Sequence, residues 1–311
     1  MSDESLRKAY TYKLKPTPDQ ERQLEETLGQ CRTLYNTALE QRITAYRRCG
    51  VTLTCYQQQA ELPDVKAAFP EYGGIHSQVL QDVLTRLDKT YQVFFRRVKA
   101  GQTPGFPRFQ GRNRYHSFTY KQFGNGARLD NGFLVLSKIG RVAVRWSRPL
   151  EGAPKTVTIS QEADGWYAII SCADVPAQPL PLTGRETGID VGLKVFLITA
   201  DGVVIENPCL HRRGEKKLAK AQRRVSKRKK GSHRRRKAVR NLQRAHQTVK
   251  RQRADFHHKT ALKLLRAYET IYLEDLQAAN MVRNRHLAKS ISDVGWAQFR
   301  TILDAKAAYD T

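Results

Sequence analysis

The first hundred residues show apolar positions with the spacing of one strand followed by helices. Alternating apolar and polar residues in Tyr10–Lys15 predict a strand, which Pro16 and Pro18 end. Beyond them, apolar residues return every three or four positions, and this spacing marks the buried face of a helix. Three helices are therefore predicted, running from Thr17 or Asp19 past Leu39, from near Thr54 past Leu62, and from about His76 to Lys99.

The third predicted helix carries a continuous apolar stripe. We expect this stripe to lie in the core, which leaves the polar side of the helix for other contacts. A basic loop broken by Gly and Pro, residues 101–114, follows the helix. The stripe consists of Val79, Leu80, Val83, Leu84, Leu87, Tyr91, Phe94 and Phe95.

From Ser117 to about Val175 the pattern changes to short alternating runs that turn residues separate. Asp130-Asn131-Gly132 and Asp164-Gly165 are two of these turns. Short strands at this spacing predict a small antiparallel sheet or barrel. The strands are predicted at Ser117–Lys121, Phe133–Leu136, Val142–Arg145, Thr156–Ser160 and Tyr167–Cys172.

The C-terminal part begins after a linker that contains Pro176, Pro179 and Pro181. The pattern predicts three short strands followed by a basic segment of two helices, which are separated at residues 229–232. A further helix, a strand and a last helix are predicted after them. This order is that of an RNase H-like nuclease core. The strands are predicted at Thr187–Val191, Val195–Thr199, Val203–Glu206 and Thr270–Glu274, the further helix through Leu262, Leu264 and Leu265, and the last helix from Ser292 or Asp293.

Charge strongly favours a polyanionic partner. The 311 residues include 55 Lys and Arg against 29 Asp and Glu, so the formal net charge is +26. Between Arg212 and Arg253 there are 20 cations and a single carboxylate, Glu215. A solvated helical face is the alternative, but such dense like charge repels itself unless a nucleic-acid backbone neutralises it. The side chains expected to contact that backbone are Arg223, Arg224, Arg228, Lys229, Arg234, Arg235 and Arg236.

Cysteine usage and hydropathy exclude several other classes. The five cysteines form no C-x-x-C pair, which argues against a disulfide framework and against a zinc ribbon in this chain. Isolated thiols fit a reducing cytoplasm. The polar N-terminus, Met1–Ser5, has no signal-peptide core, and no apolar run approaches the roughly 20 residues of a membrane helix.

Two carboxylates stand at the ends of predicted buried strands, on either side of the basic segment. Asp190 lies in Gly188-Ile189-Asp190-Val191-Gly192-Leu193, and Glu274 lies in Ile271-Tyr272-Leu273-Glu274-Asp275-Leu276. Carboxylates on neighbouring strands beside a polycation suggest a divalent metal held against a phosphodiester, as in metal-dependent nucleases. The alternative is that such acids only cap loops. Asp275 and Asp293 are interpreted as supporting or capping residues, and Asp304 and Asp310 are not expected to join the site.

At these motifs the chain resembles TnpB, the OrfB protein of small insertion sequences, an RNA-guided DNA nuclease related to type V CRISPR effectors. The resemblance runs roughly from Tyr10 to Tyr309. It rests on Gly188–Leu193, Ser226–Ser232, Tyr272–Leu276, Asn280-Met281, Asn284, Leu287-Ala288, Ser290–Asp293, Trp296 and Phe299, with Tyr35-Asn36, Ser77–Leu80, Leu87 and Gly105–Phe109 upstream.

The resemblance implies an α+β multidomain fold. Residues 1–182 would form a small β-barrel, the wedge domain, with a helical recognition lobe inserted at about 17–114. Residues 183–311 would form an RNase H-like (RuvC-like) α/β domain, with Asp190 and Glu274 as its first two catalytic acids and Mg²⁺ as cofactor. The implied partners are a guide RNA derived from the element and double-stranded target DNA, in the cytoplasm of a prokaryote in association with the nucleoid and without a membrane.

Target recognition is expected on the third helix and the strand after it. Ser77 and Gln81 lie four residues apart on one helix face, as residues that read a duplex can. The resemblance implies that this face, with Thr119 and Gln122, reads a short motif flanking the target. Ordinary helix polarity is an equally weighted alternative.

Further polar and aromatic residues are expected either to contact nucleic acid or to pack in the core. Arg108, Phe106 and Phe109 are expected to pack together and to hold nucleic-acid backbone. Aromatic residues that alternate on a strand can stack on bases but are more often core, and the two adjacent histidines are more often surface or core residues than metal ligands. The strand aromatics are Tyr115, Phe118 and Tyr120, and the histidines are His257 and His258. Trp296 and Phe299 are expected in the core.

The chain departs from the family pattern at its end. Family members continue into a zinc ribbon with two C-x-x-C pairs and then to a third catalytic Asp, whereas this chain stops at Asp310-Thr311. No zinc is therefore expected here, and cleavage is expected to be impaired or absent. The alternatives to an RNA-guided endonuclease are a non-catalytic regulator that binds nucleic acid, such as a repressor or competitor, and a DDE-type transposase.

Overall fold

A computed structural model of the chain describes residues 6–177 and 179–310. Within it the chain divides into two compact units, Met1–Pro176 and Ala177–Thr311. Together they form an α+β architecture that includes one large sheet and one small sheet.

The first unit consists of an eight-stranded sheet with a helical segment between its first two strands. The helices are α1 (Pro18–Cys49), α2 (Cys55–Ala60), α3 (Leu62–Ala68) and α4 (Ser77–Lys99), with a 3₁₀ turn at Pro70–Gly74. The strands are β1 (Leu6–Lys15), β2 (Ser117–Tyr120), β3 (Gln122–Phe123), β4 (Gly126–Asp130), β5 (Phe133–Leu136), β6 (Gly140–Arg145), β7 (Ala153–Glu162) and β8 (Gly165–Val175).

This sheet curves until its two edges meet. Its strand order is β2-β7-β8-β1-β6-β5-β4-β3, and all neighbours are antiparallel except β3 and β4. The two edge strands, β2 and β3, are separated along the chain by Lys121 alone. One continuous stretch therefore pairs with β7 at its start and with β4 at its end, which leaves little unpaired edge.

Local capping explains why the helices of the first unit begin where they do. Thr17 forms a capping box with Gln20 at the start of α1, and Gly50 ends the helix in the left-handed conformation. His76 caps α4 by accepting the backbone N–H of Gln78. The predicted starts at Thr17 and His76 are confirmed, as is the start of α2 after Thr54. The prediction that this second helix continues past Leu62 was wrong: it ends at Ala60, and a separate helix begins at Leu62 with Pro63 in its first turn.

The apolar stripe of α4 is buried only along its first half. Val79, Leu80, Val83, Leu84 and Leu87 are core residues. The prediction that the whole stripe is core was wrong: beyond Leu87 no residue of α4 is buried, because the helix continues past the elements it packs against. Tyr91 is partly buried and still packs against the core, Phe94 is partly buried, and Phe95 is exposed.

The second unit consists of a four-stranded sheet and five helices among its described residues. Its sheet has the order β11-β10-β9-β12, in which β9 and β12 are parallel and the other pairs antiparallel. The strands are β9 (Glu186–Val191), β10 (Val195–Thr199), β11 (Val204–Glu206) and β12 (Thr270–Leu273). The helices are α5 (Leu210–Ser226), α6 (His233–Ala267), α7 (Ala278–Met281), α8 (Ala288–Val294) and α9 (Trp296–Asp310).

Two helix predictions for this unit were wrong. The helix expected through Leu262 is the end of α6, because residues 233–267 contain neither Gly nor Pro to interrupt the basic helix. The last helix starts at Trp296 rather than near Ser292, because Gly295 adopts the left-handed conformation (φ 68°) and ends α8.

One face of the small sheet packs on helices. Ile189 and Leu197 point into a core that includes Leu264 from α6 and Phe299 from α9. Phe196 packs on His257 and Phe299, with ring centroids 5.6 and 5.0 Å away. The expectation that Trp296, Phe299 and His257 are core residues is confirmed, whereas His258 is exposed.

Candidate functional site

The open face of the small sheet brings the two predicted catalytic acids to the same level. Leu273 of β12 lies opposite Ile189 of the parallel strand β9. Asp190 is the next residue of β9, and Glu274 is the first residue after the end of β12, so each acid follows one member of this pair. Ile189 is buried while Asp190 and Glu274 are exposed, as the alternation of side chains along a strand requires.

Apolar and aromatic side chains flank the carboxylates on this face. Asp190 pairs with Ile198, which pairs in turn with Val204. Tyr272 lies opposite Gly188, and 59% of its surface is exposed. Its hydroxyl donates to Glu186 Oε2 at 3.2 Å, and this hydrogen bond raises the pKa of Tyr272.

The donor set fits a magnesium ion that the substrate helps to hold. In the described part of the chain no group of three or more His, Cys, Asp or Glu side chains is arranged to bind a metal. Mg²⁺ is commonly held by one or two carboxylates, with water and substrate phosphates completing its coordination. Asp190 and Glu274 satisfy that requirement, and their exposure leaves room for a phosphodiester.

Nearby acids serve other contacts. Asp293 caps α5: its Oδ1 accepts the N–H of His211 at 2.8 Å and its Oδ2 that of Arg212 at 3.3 Å. This confirms the capping interpretation of Asp293. Asp275 forms an ion pair with Arg300, which also approaches Asp304 at 3.9 Å. The side chain of Asp310 and residue Thr311 lie outside the described residues.

Asp201 stabilises the turn between β10 and β11. It accepts hydrogen bonds from Thr199, from the Tyr268 hydroxyl at 2.6 and 2.8 Å, and from Arg185 at 2.8 Å. The Thr199 hydrogen bond, with that of Tyr268, lowers the pKa of Asp201. This cluster was not predicted, because Tyr268 is 67 residues from Asp201 along the chain.

The basic segment forms a helical hairpin of α5 and α6, joined through residues 227–232. Ser232 caps α6 by accepting the backbone N–H of Arg235 at 3.1 Å. Most of the predicted backbone-binding cations are exposed on this hairpin, namely Arg223, Arg224, Arg228, Lys229, Arg234 and Arg236.

Arg235 differs from its neighbours. It is half-buried, and its Nη1 donates to the carbonyl of Val225 at 2.7 Å and to that of Arg228 at 3.0 Å. These carbonyls belong to the C-terminal turn of α5 and the residues after it, where backbone acceptors have no helical partner. The Arg235 side chain therefore fixes the turn of the hairpin.

The predicted duplex-reading residues lie where α4 meets the β2–β3 stretch. Gln78 Nε2 donates to Gln122 Oε1 at 3.1 Å, which joins the helix to the strand. Ser77 is exposed and its Oγ accepts from Lys66 Nζ at 2.9 Å. Gln81 lies one turn further along the helix and is half-buried.

Arg86 connects the same helix to Thr119. Its Nη2 donates to Thr119 Oγ1 at 2.6 Å and its Nη1 to the Ser117 carbonyl at 2.7 Å, while Asp82 accepts from its Nε at 2.7 Å. Thr119 also shares a hydrogen bond of 2.8 Å with Thr158. The polar side of the helix was predicted to be available for contacts, but the roles of Gln78 and Arg86 were not predicted, because their partners Gln122 and Thr119 are distant along the chain.

The basic loop that carries Arg108 is clamped to α1. The Asn36 side chain donates to the Gln110 carbonyl at 3.0 Å and accepts the Gln110 N–H at 2.7 Å. Pro107 is buried, while Arg108 and Phe109 are exposed. The strand aromatics Tyr115, Phe118 and Tyr120 are buried, so the expectation that they belong to the core is confirmed.

His257 is a buried histidine that packs among aromatic side chains. Its Nε2 lies 2.9 Å from the Val294 carbonyl, and burial lowers its pKa to about 4. The ring contacts Phe196 and Phe299, which are core residues. The residue therefore belongs to the packing of α6 against α8 and α9.

A similar fold is found in a solved structure. A protein chain in the cryo-EM structure of a Cas12f1-sgRNA-target DNA complex superposes with a TM-score of 0.56, covering 94% of this chain and 72% of that chain. Because the two sequences are only 11% identical, this likeness shows the fold alone. Among the described residues, no helix is long and apolar enough to span a membrane.

Sequence comparison shows the family. The pattern of the OrfB_IS605 family, described as "Probable transposase", matches residues 161–285, and that of HTH_OrfB_IS605, described as "Helix-turn-helix domain", matches residues 1–50. Described residues 6–50 of the latter range form β1 and the single helix α1.

Two curated proteins resemble the chain over nearly its whole length. A "Putative RNA-guided DNA endonuclease" of Streptomyces pristinaespiralis is 34% identical, over 98% of this chain and 76% of that protein. The "Putative RNA-guided DNA endonuclease InsQ" of Escherichia coli K12 is 29% identical, over 96% of this chain and 77% of that protein. The chain therefore belongs to the TnpB (OrfB) family of insertion-sequence proteins.

Proposed function

We propose that this protein is an RNA-guided DNA endonuclease of an insertion sequence. It would bind a guide RNA derived from the element and find double-stranded DNA through base pairing and a short flanking motif. The observation that carries the proposal is the pairing of Ile189 in β9 with Leu273 in β12, because Asp190 and Glu274 directly follow these two residues and both are exposed. The names of the curated relatives support the same activity.

The proposed domain layout divides the chain into two domains. Residues 1–182 would form the wedge domain, with the helices at about 17–114 as its recognition lobe. Residues 183–311 would form the RuvC-like domain. The sheet whose edges meet at Lys121, and the strand order β11-β10-β9-β12, support these assignments.

In the proposed site, Asp190 and Glu274 would hold Mg²⁺. The ion would supply Lewis-acid stabilisation of the charge that develops on the scissile phosphate. The protein positions that phosphate through the hairpin cations, which contact nucleic-acid backbone without reading its sequence. Ser77, Gln81, Thr119 and Gln122 would contact the flanking duplex, and Arg108 its backbone or that of the RNA.

A non-catalytic binder is the second candidate. It is favoured by the limited donor set, since no three His, Cys, Asp or Glu side chains among the described residues are grouped so that they could hold a metal. Two carboxylates hold Mg²⁺ weakly, whereas two-metal nucleases use more ligands. Such a protein would retain the guide and occupy DNA as a repressor or competitor.

One experiment separates these candidates. The chain is expressed with its native flanking DNA, the bound RNA is sequenced, and cleavage of a matched plasmid is measured with Mg²⁺. A discrete RNA with matched cleavage establishes the endonuclease. A discrete RNA without cleavage establishes the binder, and the absence of any discrete RNA contradicts both.

A further inference from the structure

Four aromatic rings form a closed cluster where α4 leaves the core. The ring of Tyr91 lies 6.2 Å from Phe95 and 5.9 Å from Phe106. The ring of Phe94 lies 5.2 Å from Phe95 and 5.4 Å from Phe106. Helix α4 therefore supplies three rings and the following loop supplies the fourth. We call these four residues the aromatic cluster.

The outer rings of the cluster face solvent. Phe95 is 51% exposed and Phe106 is 49% exposed. Phe109, in the same loop, is 50% exposed. Scattered exposed aromatics need no explanation, but adjacent exposed rings around a packed centre form a patch of the kind that binds a partner.

The chain segment that carries the cluster has charges of one sign, although Asp88 lies directly before it. From Lys89 to Arg128 the chain contains nine Lys or Arg and no Asp or Glu. A protein-binding surface without carboxylates would repel basic partners and would gain little from neutral ones. Exposed aromatic rings among cations match unpaired nucleic acid, whose bases stack and whose phosphates are anionic. The nearest exposed cations along the chain are Arg96, Arg97, Lys99 and Arg108.

The cluster is held in place before any partner arrives. Arg42 lies over the Tyr91 ring at 5.2 Å and is itself paired with Asp88 at 3.1 Å. On the loop side, the two hydrogen bonds between Asn36 and the Gln110 backbone fix the segment that carries Phe106. A rigid platform loses little conformational entropy on binding, which favours stacking.

We propose that the aromatic cluster is a stacking platform for unpaired bases of the bound RNA, with Phe95 and Phe106 as the contacting rings. This proposal rests on the proposed function, which supplies the RNA. RNA is favoured over DNA because its loops and ends present unstacked bases permanently, whereas target DNA exposes bases only after its strands separate. A permanently exposed platform suits the former.

The test uses the full chain and a labelled 12-nucleotide oligouridylate, with affinity measured by anisotropy at several salt concentrations. The double substitution Phe95→Leu with Phe106→Leu keeps apolar volume but removes both rings. We expect its affinity for the oligouridylate to fall by about five- to a hundredfold, because stacking of a base on an aromatic ring contributes binding free energy of this size. The slope of affinity against salt should stay unchanged, since no phosphate contact is lost.

Phe69→Leu is the matched control. Phe69 is 53% exposed but lies beside Asp64 and Glu71 in sequence, away from the cationic segment. Its substitution should leave the affinity for oligouridylate unchanged. Thermal unfolding of all variants checks that each is folded, and size-exclusion chromatography reports their oligomeric state.

A second readout identifies the natural ligand. Protein taken from cells with its nucleic acid is irradiated with ultraviolet light, and the tryptic peptides of residues 90–96 and 100–108 are examined by mass spectrometry. Uridine adducts on these peptides support the RNA platform. Adducts of thymidine alone would overturn it in favour of DNA.

The remaining outcomes are also decisive. Equal affinity of the double variant and the wild type for the oligouridylate would overturn the platform. A change from dimer to monomer in the double variant would also overturn it, because the patch would then serve self-association. A wild-type chain that carries no RNA from cells and binds no oligouridylate would instead contradict the proposed function.

Discussion

The two sheets of this protein bury their faces to different extents. The eight-stranded sheet curves until its edges meet at Lys121, so its inward side chains all serve one core. The four-stranded sheet buries one face against α6 and α9 and, within the described residues, leaves the other exposed. The comparison teaches that a half-covered sheet keeps a row of strand positions available for chemistry, whereas a closed sheet commits them to stability.

The largest expected effect concerns Asp190 on the open face of the small sheet. Asp190→Asn should reduce any Mg²⁺-dependent cleavage by about a thousandfold or more, because metal stabilisation of the transition state is worth several kcal/mol. Retained RNA and the melting temperature should not change, since the side chain is exposed. Cleavage assays and RNA recovery measure both, and parallel loss of cleavage and RNA would contradict the separation of roles.

The next effect contrasts adjacent residues on opposite faces of β10. Leu197→Ala should lower the free energy of unfolding by about 2–5 kcal/mol, because Leu197 is fully buried. Ile198→Ala should change it by less than about 0.5 kcal/mol, because Ile198 is 40% exposed on the open face. Urea denaturation tests the pair, and comparable losses would show that the second face is also covered.

Acid should weaken the packed side of the small sheet through His257. Burial lowers the pKa of His257 from 6.5 to about 4, so the folded state holds the ring neutral. The stabilising contribution is therefore complete above pH 6.5 and is lost as the pH falls towards 4, by about 3 kcal/mol in total.

Denaturation between pH 7 and 4 measures this dependence. In His257→Phe the slope in that window should disappear. In Asp201→Asn it should remain, because the lowered pKa of Asp201 places its own loss of stability at more acidic pH. A wild-type protein without any slope between pH 6.5 and 4 would contradict the burial of a neutral ring.

The smallest effects separate two adjacent arginines of the hairpin. Arg235→Ala should lower the free energy of unfolding by about 1–3 kcal/mol, because two backbone carbonyls lose a charged donor. Arg234→Ala should leave stability unchanged and reduce the salt slope of duplex binding by about one unit, as expected for one phosphate contact. If Arg234→Ala lowered the free energy of unfolding and Arg235→Ala changed only the salt slope, the described role of Arg235 in the turn would be contradicted.

Sequence reasoning located the elements whose signals are local. The capped starts of α1 and α4 were predicted because Thr17 and His76 stand directly before apolar helical spacing. The turn at Asn131-Gly132 was predicted because both residues tolerate positive φ, which they adopt at 45° and 80°. Strand β4 was missed, since Gly126–Asp130 has too few apolar residues for a strand pattern.

What the sequence could not show depends on contacts between distant residues. The order of the eight strands and the bond from Arg86 to Thr119 arise from pairing that no local pattern encodes. The exposure of Phe95 was missed for the same reason, because helical spacing shows which residues share a face but not where the core ends. At the candidate site, the motifs identified Asp190 and Glu274, and the strand register supplied their proximity.

The central claim is that Asp190 and Glu274 hold one metal ion together on the open face. Replacing Mg²⁺ by Fe²⁺ and adding ascorbate and peroxide generates radicals that cut the polypeptide near the bound metal, whether or not the chain cleaves DNA. We predict cuts near residues 188–192 and 271–276 in the same molecule population, both lost in Asp190→Asn and both lost in Glu274→Gln. Cuts at one segment alone, or cuts that survive either substitution, would contradict a shared site.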